Sequence, residues 1–155
     1  MPASSALERE LTIVRVFDAP RELLFRAWTD PKMMARWWGP RGFENPACEL
    51  DVRVGGALWI VMRGSDGTEH PMKGVFQEIV PPEKLVFTGI AVDASGNHLL
   101  EGVTTVLFED QNGKTKMTMR TRAVGKVPQA EFMLGGMEQG WTESIDKLEE
   151  LLTQG

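Results

Sequence analysis

The sequence predicts an α+β fold in which a curved antiparallel sheet of about seven strands wraps around a long C-terminal helix, with two short helices after the first strand. Two patterns predict it. From Glu44 to Ala123, apolar-rich runs of period two follow one another with only short turn-forming segments between them, the signature of an antiparallel meander. From Leu134 onward the period changes to three and four, and one amphipathic stripe continues almost to the end of the chain.

Leu7 to Asp18 reads as the first strand, because Leu11, Ile13 and Phe17 alternate with Thr12 until Ala19-Pro20 stops the extended pattern. Pro20 suits a first helical position, and Leu23, Leu24, Ala27 and Trp28 then recur at helical spacing. Asp30-Pro31 starts a second short helical piece that reaches Trp37. After the loop Trp38 to Gly42, Glu44 to Val54 is strand-like and Gly55-Gly56 turns into Ala57 to Arg63. Ser65-Asp66-Gly67 makes the next hairpin. Met72 to Val80, Lys84 to Val92, Glu101 to Glu109 and Lys114 to Ala123 continue the series, with turns at Pro81-Pro82, Ala94 to Asn97 and Asp110 to Gly113.

In the terminal helix Leu134, Met137, Trp141, Ile145, Leu148 and Leu152 form the stripe, and Glu138, Glu143, Asp146, Lys147 and Glu150 take the other side. Gly135, Gly136 and Gly140 interrupt it at about 1 kcal/mol each relative to alanine, so close packing, room for a ligand or a kink has to compensate. Residues 7–153 read as one domain, and 1–6 as a flexible lead-in.

Composition narrows the function. The chain has 155 residues, 42% hydrophobic and 25% charged, the mix of an ordinary globular domain. Cys48 is its one cysteine, so no internal disulfide can form, and a reducing, cytoplasmic setting is expected. No stretch approaches the roughly 18 apolar residues of a membrane span, and the start of the chain is too polar for a signal peptide. With a net charge of -5 and scattered Lys and Arg, nucleic acid is not an expected partner.

Chemistry is thinly represented. His70 and His98 adjoin predicted loops with no second ligand at metal spacing, so both read as surface histidines and no metal site is expected. Gly-rich phosphate loops and Ser-centred elbows are absent from the sequence, and neither a cofactor nor a catalytic residue is assigned. The acid-base candidates are Glu49, Asp51, Arg53, Glu78 and Glu101. Alternation puts Glu49, Asp51 and Arg53 opposite Leu50 and Val52, which reads as a solvated cross-strand ion cluster. Cys48, in phase with Leu50, reads as a small buried hydrophobe.

What the sequence does offer is an apolar, adaptable set of side chains: nine Met, five Trp, seven Phe and no Tyr. Trp37, Trp38, Phe43, Trp59, Val61, Met72, Phe87, Met117, Met119, Met133, Met137 and Trp141 fall where the long helix would face the sheet. They line a cavity or plug one, since periodicity cannot separate a wall from a filled core. Two adjacent indoles at a helix end cannot both enter one core easily, so Trp37-Trp38 either gates the mouth or anchors the short helices.

Four stretches resemble a known family: Ile13 to Phe17 with Ala19-Pro20 and Trp28-Thr29-Asp30-Pro31; Trp37-Trp38-Gly39-Pro40 with Gly42-Phe43; Asp51 to Gly56 with Asp66-Gly67; and Gly140-Trp141. Gly74 and Glu78 to Leu85 are similar to its middle hairpin. The family is the one named for the activator of heat-shock protein 90 ATPase, homologue-like branch, within the START-like helix-grip superfamily. The resemblance implies the helix-grip fold but no single reaction, because the superfamily includes lipid and hormone binders, polyketide cyclases and cochaperone domains.

A small apolar molecule held between the terminal helix and the sheet is the expected partner, in a sensor, carrier or stress-related role. Burying about 300 Å² of it gives roughly 7 kcal/mol before association costs, which points to micromolar affinity. A cyclase or dehydratase using the same cavity is one alternative, and would pair an inward carboxylate with Arg53 or Arg120. A module acting on a heat-shock protein 90 homologue is the other. Strands apolar on both faces, such as Leu58 to Met62 and Val75 to Val80, add a homodimer to the expectations.

Overall fold

A computed structural model describes residues 7–153, and the expectation for 1–6 lies outside the described residues. The elements run β1 (Glu8–Phe17), α1 (Arg21–Ala27), α2 (Pro31–Trp37), β2 (Glu44–Leu50), β3 (Ala57–Arg63), β4 (Glu69–Val80), β5 (Lys84–Val92), β6 (His98–Gln111), β7 (Lys114–Gly125), α3 (Ala130–Gly135) and α4 (Met137–Thr153). The strands form one antiparallel sheet in the order β1-β7-β6-β5-β4-β3-β2. Hairpin connections build the β2 to β7 meander, and β1 returns beside β7 with Ile13 opposite Met119 and Phe17 opposite Thr115. This is the expected α+β helix-grip arrangement, with the two short helices in their expected place.

Local chemistry starts α2 where the sequence indicated. Asp30 caps it by accepting from the Lys32 backbone N–H at 2.9 Å, and Pro31 occupies the first turn, where its missing N–H has no cost. The concave face of the sheet then collects the core. Trp28 packs on Trp37 at 4.6 Å between ring centroids and lies nearly parallel to Trp141 at 6.2 Å. Phe17, Leu24, Phe76, Met117, Met119, Ile145 and Leu148 are among the other side chains of this core. Two buried polar groups there are satisfied by distant carbonyls: Trp37 Nε1 donates to Ala27 at 2.9 Å, and Thr115 Oγ1 to Ala19 at 2.7 Å.

Polar contacts fasten α4 along both flanks. From β1, Arg15 meets Asp146 at 2.6 Å and Glu149 at 3.3 Å. From the loop after α2, Arg41 pairs with Glu150, and its backbone N–H donates to Glu143 at 3.0 Å. The hydrogen bonds to Gln139 and Arg41 hold the Glu143 carboxyl below its ordinary pKa, and Arg41 does the same for Glu150. At the other end Arg9 donates to the Leu134 carbonyl at 3.1 Å and lies 3.7 Å from Glu138.

Several boundaries differ from the sequence expectation. β2 ends at Leu50 because residues 51–56 fold back on themselves: the Gly56 N–H donates to Arg53 at 2.8 Å, and a Cβ on Gly56 would lie 2.0 Å from the Asp51 carbonyl. Arg53 and Asp51 therefore pair at 2.8 Å within one exposed turn instead of crossing strands. β4 and β6 begin earlier than predicted, which puts His70 and His98 on strands. The terminal helix is two helices, α3 and α4, broken at Gly136. Of the compensations available to the glycines, the break is the one at Gly135 and Gly136, where an added Cβ would meet nothing closer than 3.7 Å.

The convex face of the sheet has no helix on it among the described residues, and Val14, Val16, Trp59, Val75, Val103 and Leu107 are exposed there. Among the described residues no helix is long and apolar enough to cross a membrane. Because Leu148 is fully buried at the centre of the α4 contact, Leu148→Ala is expected to lower stability by about 2–5 kcal/mol. Glu109→Ala, on an exposed outer position, should change it by less than about 0.5 kcal/mol in the same urea titration.

Candidate functional site

The fully buried part of α4 is its middle, where Ile145 and Leu148 fill the concave face. One helical turn toward the N-terminus the stripe meets Gly140, and beyond it Gly136, neither of which brings a side chain. A hollow of about 510 Å³ opens there, between the α3–α4 junction, the loop after α2 and the ends of β3 to β6. That volume lies within the range of small-molecule sites.

Strands supply Met62, His70, Pro71, Met72, Ala91 and Leu100; the loop supplies Trp38, Gly39, Pro40 and Phe43. The helices supply Phe132, Met133, Met137, Trp141 and Ser144. Trp38 and Trp141 meet edge to face, their centroids 5.2 Å apart. Asn45 fixes the loop that carries Trp38 by donating to the carbonyls of Ala35 and Trp38, both at 2.9 Å. Gly39 has φ +91, and a Cβ on it would come within 2.7 Å of Met62 Sδ, so only glycine brings the loop this close to β3.

Polar groups are few in this lining. The Ser144 hydroxyl donates to the Gly140 carbonyl at 2.9 Å, the back-bond of a serine within its own helix. The His70 ring packs edge-on against Phe43 at 5.9 Å. Phe132 stands at the rim 89% exposed, beside the glycine break.

The expected lining residues divide three ways. Trp38, Phe43, Met72, Met133, Met137 and Trp141 do come together around the hollow. Trp37, Phe87, Met117 and Met119 do not: they are plugs, all buried in the core at 3% exposure or less. Trp37 is the anchor and Trp38 the pocket wall, so the two indoles divide the roles between them. Trp59 and Val61 are on the wrong side altogether. Leu50 pairs with Leu58 and Cys48 with Ile60, so the period of two turns Trp59 and Val61 to the convex face, where Trp59 is 37% exposed.

Residues missed from the sequence include Met62, Ala91 and Leu100 on the strands and, at the rim, His70 and Phe132. Met62 was legible, because it is in phase with Leu58 and Ile60. Ala91 and Leu100 carried no signal of their own, since pairing with each other and with Met72 is what aims them inward.

A second hollow of about 560 Å³ lies on the convex face, lined by Glu10, Glu101, Arg120, Arg122 and Lys126 among others. Its charges are largely paired: Arg122 with Glu8 at 2.6 Å, and Glu101 with His98 at 2.7 Å and Lys126 at 3.8 Å. The His98 hydrogen bond holds the Glu101 carboxyl below its usual value. Among the described residues no His, Cys, Asp or Glu group could hold a metal ion.

The family described as activator of Hsp90 ATPase homolog 1-like protein matches residues 18–153. The chain belongs to this family. Solved relatives carry the same fold. A solution structure from Arthrobacter aurescens is 28% identical over 98% of this chain and 89% of that one, with a TM-score of 0.82. The AHSA1 protein of Silicibacter pomeroyi is 27% identical over 94% and 99%, with a TM-score of 0.80. A protein from Chromobacterium violaceum is 27% identical over 92% and 95%, at 0.78. No curated protein matches the chain.

Cys48 lies on the core side of β2, and burial, aided by Asp30 and Glu49, pushes its thiol up to about 11. At pH 8 almost none of it is thiolate. Alkylation by iodoacetamide at pH 8 is therefore expected to be more than tenfold slower than for a cysteine peptide, and to reach the peptide rate in denaturing urea; equal rates in the native state would contradict this burial.

Proposed function

We propose that the protein binds a small apolar molecule in the hollow between the α3–α4 junction and the sheet. The observation that carries the reading is the 510 Å³ opening with a wall of indole, phenyl and thioether groups beside an otherwise filled core. Apolar surface entering it leaves water on contact with Trp38, Met72, Met137 and Trp141, at about 25 cal/mol per Å². Thioethers on both walls let the hollow accommodate more than one shape. Membership of a superfamily that includes lipid and hormone binders is consistent with a sensor or carrier role.

The cyclase or dehydratase alternative has less support. Arg53 pairs with Asp51 in an exposed turn, and Arg120 lines the convex hollow, so neither brings a carboxylate into this one. Action on a heat-shock protein 90 homologue is a separate proposal that rests on the family description alone.

The neutral fluorophore N-phenyl-1-naphthylamine tests the binding reading. Its emission is expected to rise on mixing, with a micromolar Kd. Ala91→Phe and, on the opposite wall, Met137→Trp each fill the hollow and should weaken binding at least tenfold while the thermal transition stays cooperative. Unchanged binding by both folded variants would remove the proposal.

Self-association through the convex face is a further proposal, supported by the exposed Trp59, Val75 and Val103 on a face that no helix of the described residues covers. Light scattering should then give a dimer mass at working concentration, and a monomer mass would refute it.

A further inference from the structure

The two histidines of the chain are used differently. His98 has its Nδ1 2.7 Å from the Glu101 carboxylate. The His70 ring, among the described residues, makes no hydrogen bond and packs edge to face with Phe43. His70 points to the same side of β4 as Met72, since Met62 and Ile60, their partners on β3, alternate in phase. It lines the hollow, and among the described residues it is the one ionisable side chain that does. The Ser144 hydroxyl already donates its hydrogen bond to the Gly140 carbonyl. The donor capacity that the lining side chains can offer a guest therefore lies in His70, apart from the indole N–H groups of Trp38 and Trp141.

The charges around His70 decide which polar group it can take. In the hairpin before β4, hydrogen bonding from Thr68 holds the Asp66 carboxyl below its ordinary pKa, and the charge of His70 acts in the same direction as a lesser cause. Glu69 adjoins His70 in β4 but turns to the other face, where it and Glu44 lie beside Arg63, Glu44 at 2.7 Å. An anionic guest would meet the like charge of Asp66 on this side, whereas the imidazole N–H can serve a neutral hydroxyl or carbonyl.

We infer that His70 makes the hollow selective for a neutral apolar molecule carrying one hydroxyl or carbonyl group, held with its apolar body inward against Met137 and Trp141 and its polar group outward at His70. This rests on the hollow being a binding site. The exposure of His70 at the mouth fits that orientation, because the polar end of the guest keeps access to water while the body is desolvated.

Calorimetric titration with naphthalene, 2-naphthol and 2-naphthoate at pH 7.5 separates the two readings. In the unaltered protein 2-naphthol is expected to bind about 3- to 10-fold tighter than naphthalene, the usual return of one hydrogen bond, and 2-naphthoate more weakly than 2-naphthol. His70→Phe keeps a ring against Phe43 and should bring 2-naphthol to the affinity of naphthalene. His70→Gln keeps a donor and an acceptor and should retain most of the preference. Equal affinities for naphthalene and 2-naphthol, a preference that survives His70→Phe, or tightest binding by 2-naphthoate would each overturn the role of His70 and leave apolar binding standing. Binding of none of the three would remove the hollow as a site, and this inference with it.

Discussion

Everything in this molecule depends on how α4 sits in the concave sheet. Its apolar stripe reaches the core through Trp141, Ile145 and Leu148, and complete burial of an aliphatic side chain of this size is worth about 1.5–3 kcal/mol. The ion pairs at its flanks add alignment more than energy, because Arg15 and Arg41 meet partners that remain substantially exposed. Both clamps act on the stretch from Glu143 to Glu150, while the N-terminal end meets Arg9, which lies 3.7 Å from Glu138.

The hollow follows from that seating. A helix whose central side chains are long enough to fill the sheet leaves space wherever its sequence turns to glycine, and Gly136 and Gly140 fall in the half that overhangs β3 to β6. The loop after α2 closes one side of the space, drawn in by Asn45 and allowed to approach by Gly39. The pocket is thus the part of the helix–sheet interface that side chains do not complete. It is apolar because both of its walls continue the core. The imidazole of His70 at its mouth is an exception to that rule.

Much of the fold was legible because periodicity reports it. The switch from a period of two to one of three and four separates strands from helix, and Asp30-Pro31, Gly55-Gly56 and Asp66-Gly67 punctuate the chain where the structure turns. Periodicity also explains why the site was half legible. Trp38, Phe43, Met137 and Trp141 belong to the loop and helix that must face the sheet, and they do line the hollow. Met117 and Met119 have the same character and the same phase as true wall residues, yet they lie beneath the filled part of α4. Nothing local distinguishes a methionine under Ile145 from one under Gly140.

The sequence by itself therefore determined the kinds of element, their order and the apolar nature of whatever lies between helix and sheet, because these depend on neighbours within a few residues. Register and helix placement belonged to the tertiary structure. One step of register separates the inward Ile60 from the outward Trp59, and one turn of α4 separates a packed layer from an open one. Both are settled by contacts between residues far apart in the chain, such as Cys48 with Ile60 and Arg15 with Asp146, whose partners the linear order does not name.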